Sequence, residues 1–142
     1  MQTVVTVEEL NAFFVRDFPQ CSARVEALPP GRARVRQAVG EEHLRPGGTI
    51  SGPTMMAVAD AAAYAAILGA IGIVPLAVTT NMSIAFLRRP RAGAALIGDA
   101  RILKLGKTLV FLEVSVTSEG EDEPCAHATA TYAIPPDRQK KV

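Results

Sequence analysis

A long apolar run stands in the middle of the chain, and segments that alternate between apolar and polar residues lie on both sides of it. From residue 55 to residue 78 the only charged side chain is Asp60. Ala, Met and Leu dominate the first part of the run, so we predict a helix from residue 53 to about residue 69. The run is long enough to cross a bilayer, but an Asp near its centre would cost about 2.5 to 3.5 kcal/mol. We therefore expect a helix that other parts of the protein bury.

Shorter periodic segments predict the remaining elements. Apolar residues three and four positions apart predict a helix over residues 7–14 that ends before Pro19. Alternating segments that are separated by Gly, Pro and charged clusters predict six strands, at residues 23–27, 32–39, 78–87, 94–104, 108–118 and 125–134. In the second of these strands Arg32, Arg34 and Arg36 share one face, as a sheet with one solvated side requires. A mainly antiparallel sheet around a long buried helix is an α+β architecture.

Composition excludes several classes of partner. The 15 basic and 14 acidic residues leave a net charge of +1, so we expect no nucleic acid and no membrane partner. Cys21 and Cys125 are far apart in the sequence and form no metal or disulfide pattern. The N-terminus lacks a basic segment followed by an apolar one, so we expect no signal peptide and a cytoplasmic location. A chain of 142 residues fits one domain, 1–142, with a disordered basic tail over residues 137–142.

Three segments resemble the hotdog-fold thioesterases of the phenylacetate-degradation type. EEHLRPGGTISGPTMMAVADAAA resembles the loop and central helix of that family, VTTNMSIAFLRRP the strand after the helix, and KLGKTLVFLEVSV a following hairpin with its Gly-Lys turn. The resemblance runs from about Arg32 to Tyr132. It implies a hotdog fold, in which an antiparallel sheet wraps around a long central helix, and an acyl-CoA thioesterase without a cofactor that works as a dimer or homotetramer.

The functional loop departs from the family at three positions. Arg45 stands where the family usually has Asn, and Ser51 stands where it usually has His before the Gly. Pro53 replaces the second Gly, so one backbone N–H that could bind an anion is missing. Whether Arg45 and Ser51 preserve activity is left open by the sequence.

Asp60 and Gly52 are the main candidates for the chemistry. Unpaired N–H groups at a helix N-terminus attract negative charge, so the Gly52 N–H is our candidate donor to the oxyanion of a thioester intermediate. Asp60 can act as a general base on water or attack directly to form a mixed anhydride. The resemblance implies that Asp60 faces the partner subunit and that Thr79 helps to hold the water. A purely structural carboxylate at Asp60 is the alternative.

Polar residues beside these two have competing interpretations. Ser51 can cap the central helix, orient the thioester or act as a nucleophile, and the cap is favoured because no G-x-S-x-G motif is present. Thr54 can line the same pocket or also cap. Arg45 can bind an acidic acyl group or a phosphate, or it can form a surface pair with Glu41 or Glu42.

Basic residues near strand ends are candidates for binding the phosphates of coenzyme A. The resemblance places those phosphates near Arg88, Arg89 and Lys107, and solvated loop charge is the alternative. His43 and His127 are isolated in the sequence, so no metal site is proposed.

Two other functions remain open from the sequence. One is a non-catalytic hotdog protein that binds acyl-CoA, and the other is a hotdog hydratase or dehydratase, for which His43 would be the nearest histidine. In each case the edge strands of the sheet would need covering, which favours a homo-oligomer.

Overall fold

The computed structural model describes residues 1–136, and the predicted tail over residues 137–142 lies outside this range. Residues 1–136 form two α-helices, α1 at Val7–Asp17 and α2 at Gly52–Ile71. The strands are β1 (Arg24–Ala27), β2 (Arg32–Gln37), β3 (Leu44–Arg45), β4 (Thr49–Ile50), β5 (Val78–Phe86), β6 (Leu96–Leu105), β7 (Leu109–Ser118) and β8 (Ala126–Ala133). Every strand predicted from the sequence is present, with bounds that differ by three residues or fewer because element ends are sensitive to capping.

Six of the strands form one antiparallel sheet around α2. Their order is β1-β2-β6-β7-β8-β5, so β1 and β5 are its edges. The helix α2 packs mainly against β6, β2 and β7. The predicted α+β architecture, a hotdog fold with the sheet wrapped around a long helix, is confirmed.

Small residues allow the sheet to approach α2 closely. Gly98 of β6 lies against the helix, where an added Cβ would come within 3.0 Å of Val58 and 3.1 Å of Ala62. The helix begins after Ser51 and ends at Gly72, which has a φ of 98°. Glycine adopts this positive φ without steric cost, and the helix therefore stops there. Its last residue, Ile71, lies two positions beyond the predicted end.

Burial accounts for the unbroken apolar pattern of α2. Among residues 1–136 it is the one helix long and apolar enough to cross a membrane, and 72% of its most apolar 18-residue window is buried within the protein. A helix that is apolar on all sides is typical of a protein core as well as of a membrane span. Here α2 lies in the protein core.

The N-terminal helix closes one side of the core. Its predicted apolar face, Leu10, Phe13 and Phe14, is buried. Asn11 fixes the helix to the first strand, because its side chain donates to the Val25 carbonyl at 2.9 Å and accepts from the Val25 N–H at 2.8 Å. The ring of Phe14 stacks on that of Tyr64 in α2, with centroids 6.0 Å apart.

The predicted loop over residues 40–51 contains regular structure that the sequence pattern did not reveal. A short 3-10 helix spans Glu41–His43, and β3 and β4 form a two-residue hairpin. Gly47 and Gly48 in its turn have φ values of 96° and 78°. Such short elements leave no periodicity to detect, and they hold the chain at the entrance to α2.

Candidate active site

A cavity of about 670 Å³ opens beside the middle of α2. Its wall combines the connection after α1, one face of α2, the start of β5 and the end of β8. Asp60, Thr79 and Tyr132 lie together in this wall. The predicted Asp60 and Thr79 are therefore neighbours in the folded chain.

Two hydroxyl groups hold one oxygen of the Asp60 carboxylate. Thr79 Oγ1 donates to Asp60 Oδ1 at 2.5 Å, and the Tyr132 hydroxyl donates to the same oxygen at 2.6 Å. Thr79 and Tyr132 are direct cross-strand partners, so their side chains point to the same face of the sheet. The register of β5 shifts just after Thr79, between Thr79 and Asn81, and a bulge of this kind re-aims side chains beside functional sites.

The second oxygen of Asp60 stays open to the cavity. Nothing among residues 1–136 donates a hydrogen bond to Oδ2, and those residues contain no sealed polar side-chain atom that lacks a partner. Asp60 as a whole is half-buried and lines the cavity. One oxygen is thus held by the protein while the other can reach a bound molecule.

Tyr132 was not predicted from the sequence as a site residue. Its side chain is 2% exposed, and burial, together with the charge and hydrogen bond of Asp60, raises the pKa of Tyr132 well above its ordinary range. The available signal was the alternation of the last strand, whose inward positions Ala126, Ala128 and Ala130 are small and apolar before Tyr132. A hydroxyl on such a face needs a buried partner.

The start of α2 confirms the capping role of Ser51. The Ser51 Oγ accepts the N–H of Thr54 at 3.2 Å, and the two hydroxyl oxygens lie 2.8 Å apart. Thr54 also donates to the carbonyl of His43 at 3.2 Å. Ser51 and Thr54 both line the cavity, so the cap and the cavity wall share these residues.

Gly52 lies in a different environment from Asp60. A Cβ built on Gly52 would come within 3.3 Å of the Phe86 ring, at the far end of β5 from Thr79. Eight residues of helix at 1.5 Å rise separate Gly52 from Asp60 by about 12 Å. One chain therefore does not bring its own Gly52 N–H and Asp60 to a single carbonyl group.

Arg45 is exposed on the β3–β4 hairpin. No ion pair joins it to Glu41 or Glu42 in the described part of the chain, so the surface pair that the sequence offered as an alternative is absent there. It is also not part of the cavity wall, which carries Asp17, Glu42 and Asp60 but no Lys or Arg among residues 1–136. Within one subunit the cavity is thus suited to neutral rather than acidic groups.

The three predicted phosphate ligands do not form one cluster in a single chain. Arg88 and Arg89 follow the end of β5, and Arg88 pairs with Glu123 at 2.5 Å. Lys107 lies in the turn between β6 and β7, beside the start of β5, because Leu109 and Val78 both pair with Ala133. The two groups are separated by the length of β5, roughly 30 Å.

The histidines are far from one another. His43 lines the cavity, and its Nδ1 accepts the N–H of Gly40 at 2.8 Å, while His127 lies on β8 beside Glu113. Residues 1–136 contain no group of three His, Cys, Asp or Glu side chains that could hold a metal ion. Cys21 and Cys125 are both unpaired.

Comparisons with known proteins agree with this fold. The model of the thioesterase superfamily matches residues 47–125. The human acyl-coenzyme A thioesterase 13 is 28% identical over 106 residues, 72% of each chain. A solved structure from Silicibacter sp. TM1040, described as a candidate thioesterase, is 46% identical, with a TM-score of 0.88 over 96% of each chain. The phenylacetic acid degradation protein PaaI of Thermus thermophilus is 28% identical, with a TM-score of 0.68 over 83% of this chain and 97% of that one.

The family model covers more than half of the chain and spans both Gly52 and Asp60. The predicted resemblance to PaaI-type proteins is confirmed by these comparisons. The chain therefore belongs to the thioesterase superfamily, a family of thioester hydrolases, and it has the hotdog fold of the PaaI-type members.

Proposed function

We propose that the protein hydrolyses acyl-CoA thioesters, with Asp60 of one subunit and the Gly52 N–H of the partner subunit acting on the same carbonyl group. The observation that carries this proposal is the placement of the two carboxylate oxygens of Asp60. Its Oδ1 is held by Thr79 and Tyr132 while its Oδ2 is open to a cavity of about 670 Å³. A buried charge is costly unless it is paired, and such groups in clefts are candidates for catalysis.

The distance along α2 supports the assignment of the two groups to different subunits. An oxyanion donor lies about 3 Å from the oxygen, and a base reaches the carbonyl carbon through one water, so the donor nitrogen and the carboxylate can be roughly 8 Å apart. Gly52 and Asp60 of one helix are about 12 Å apart along its axis. A second copy of the chain can supply the missing donor.

The placement of β5 supports a dimer in which the second copy supplies this donor. Thr79, which holds Asp60, is near the start of this strand, and Phe86, which covers Gly52, is its last residue. If two copies of β5 pair antiparallel about Met82, Thr79 of one chain lies opposite the end of the other strand. Asp60 then approaches the Gly52 of the partner subunit.

The exposed edge supports this pairing as well. β5 is an edge strand, and apolar residues at both of its ends are exposed, with Val78 at 55%, Phe86 at 50% and Leu87 at 53%. An uncovered edge with exposed apolar side chains favours association with another strand. We infer a two-fold dimer through β5, and the further pairing of dimers into a tetramer is consistent with the fold.

In the reaction Asp60 takes a proton from water while the water oxygen bonds to the thioester carbon. The negative charge that develops on the carbonyl oxygen is stabilised by the Gly52 N–H at the helix N-terminus. Collapse of this intermediate breaks the carbon–sulfur bond, and the proton passes to the departing thiolate. The alternative mechanism is direct attack by Asp60 on the thioester carbon, which forms a mixed anhydride that water then hydrolyses.

One observation favours a second candidate function. His43 and Asp60 line the same cavity, and a hydratase acting on an enoyl-CoA requires a histidine and an acid in one site. The two side chains share no hydrogen bond in the described part of the chain, so hydrolysis remains the preferred function.

Release of free coenzyme A from a panel of acyl-CoA esters tests the proposal. We expect hydrolysis of at least one neutral acyl-CoA, and a loss of about 100-fold or more in kcat when Asp60 is changed to Asn. The Asp99→Asn variant, an exposed Asp on β6, is the matched control and should retain activity. Water addition to an enoyl-CoA would instead support the hydratase, and binding of every ester without turnover would support a non-catalytic binding protein.

A further inference from the structure

We propose that Tyr132 is a positioning residue that, together with Thr79, fixes Oδ1 of Asp60 and thereby makes Oδ2 the oxygen that takes the proton from water. The inference rests on the proposed function and adds to it the identity of the reacting atom and of the group that orients it. Nothing in the sequence pattern or in the similarities to known proteins assigns a role to Tyr132.

The geometry ties the Asp60 side chain to its own backbone. The Tyr132 hydroxyl lies 2.6 Å from Asp60 Oδ1 and 3.1 Å from the carbonyl oxygen of the same residue. One hydroxyl group therefore bridges the carboxylate and the main chain of α2. Rotation of the carboxylate would break this bridge and also the bond from Thr79.

The position of Tyr132 is itself rigid. Its ring is 2% exposed and stacks on Tyr64, with centroids 6.3 Å apart. Its place in β8 is fixed by pairing with Thr79 on one side and with Val110 on the other. A reacting group held by a rigid support keeps the short contact that proton transfer requires.

Tyr132 holds its proton and does not exchange it with the substrate. Burial and the neighbouring carboxylate raise the pKa of its hydroxyl far above neutral pH. It therefore remains a donor to Oδ1 throughout the reaction, while the proton removed from water goes to Oδ2 and is then passed to the departing thiolate. One proton thus moves from water to the departing sulfur by way of Oδ2, while the carbon–oxygen bond forms and the carbon–sulfur bond breaks.

The first test is the Tyr132→Phe variant, which removes the hydroxyl and keeps the ring. We expect kcat to fall by about 10- to 100-fold while KM changes by less than about 3-fold, because the carboxylate loses its orientation and the cavity keeps its shape. Tyr64→Phe is the matched control, since Tyr64 lies in the same wall but donates to the Pro75 carbonyl at 3.0 Å. Its kcat should exceed that of Tyr132→Phe by about tenfold.

A second measurement does not depend on activity and keeps the hydroxyl group of Tyr132. The chain contains only two tyrosines, so 3-fluorotyrosine in the Tyr64→Phe protein labels position 132 alone. We expect its ¹⁹F resonance to move when Asp60 is changed to Asn and to stay in place with Asp99→Asn.

The outcomes separate this inference from the proposed function. Wild-type protein that hydrolyses no ester of the panel overturns the proposed function. An active wild type whose kcat is unaltered by Tyr132→Phe, or a ¹⁹F resonance that does not respond to Asp60→Asn, overturns the role of Tyr132 alone. A loss of kcat together with the resonance change supports it.

Discussion

Thr79 and Tyr132 face each other across β5 and β8, and both hydroxyl groups donate to the same oxygen of Asp60. The two residues are 53 positions apart in the sequence, and their strands are neighbours in the sheet. Two donors on one oxygen compensate a carboxylate that the apolar helix would otherwise leave poorly solvated. The same arrangement leaves the other oxygen available for chemistry.

The two tyrosines predict how stability depends on alkaline pH. Burial raises the pKa of Tyr64 to about 12 and raises that of Tyr132 further. Above pH 10 the unfolded chain loses these protons while the folded chain keeps them, so the free energy of unfolding falls as the pH rises. The loss is up to about 1.4 kcal/mol per pH unit for each tyrosine, and below pH 10 the contribution is fully present.

Thermal unfolding between pH 8 and pH 11.5 measures this effect. Tyr64→Phe should lower the melting temperature at pH 8, where its bond to Pro75 is lost, and should flatten the alkaline decline. If the melting temperature falls equally steeply with pH in the wild type and in both Tyr→Phe variants, groups other than these tyrosines cause the loss of stability at alkaline pH.

Ser51 is expected to stabilise α2 through its cap. Ser51→Ala should lower the free energy of unfolding by about 1 kcal/mol, because the Thr54 N–H loses its acceptor. Ser51→Thr keeps a hydroxyl at the cap and serves as the control. Denaturant titration of the three proteins decides the point, and equal midpoints would contradict the capping role.

Coenzyme A binding should depend on salt and on basic residues of two subunits. A dimer through β5 would bring Arg89 of one chain toward the end of the sheet that carries Lys107 of the other. We expect Arg89→Ala and Lys107→Ala each to weaken coenzyme A binding by about 2- to 10-fold and to reduce its salt dependence. Arg32→Ala, on the exposed face of β2, is the control. If calorimetry gives equal affinities for coenzyme A at low and high salt, phosphate binding by Arg89 and Lys107 is excluded.

Local patterns predicted most of the fold because each element carries its own signal. The apolar run with Pro53 near its start predicted α2, and alternation predicted the strands to within three residues. Asp60 was predicted for the same reason, since a lone charge in an apolar helix has few explanations other than function. The short hairpin of β3 and β4 escaped prediction because two residues show no period.

The remaining features of the site depend on contacts between distant segments. Tyr132 reads as an ordinary strand residue until the pairing of β5 and β8 brings it beside Thr79 and Asp60. The separation of Arg88 from Lys107 follows likewise from the sheet order and not from spacing in the sequence. The sequence left open whether Arg45 binds the substrate or forms a surface pair, and only the folded chain places it outside the cavity of its own subunit.

Mixing two inactive variants tests most directly whether Asp60 and the partner's Gly52 share a site. Gly52→Pro removes the N–H at a helix position that accepts proline, whereas Gly52→Ala keeps the N–H and controls for contact with Phe86. Co-expression of Asp60→Asn and Gly52→Pro chains yields mixed dimers in which one of the two sites has both groups intact. The account predicts recovery of about a quarter of wild-type activity in an equal mixture, and no recovery above that of the separate variants would contradict it.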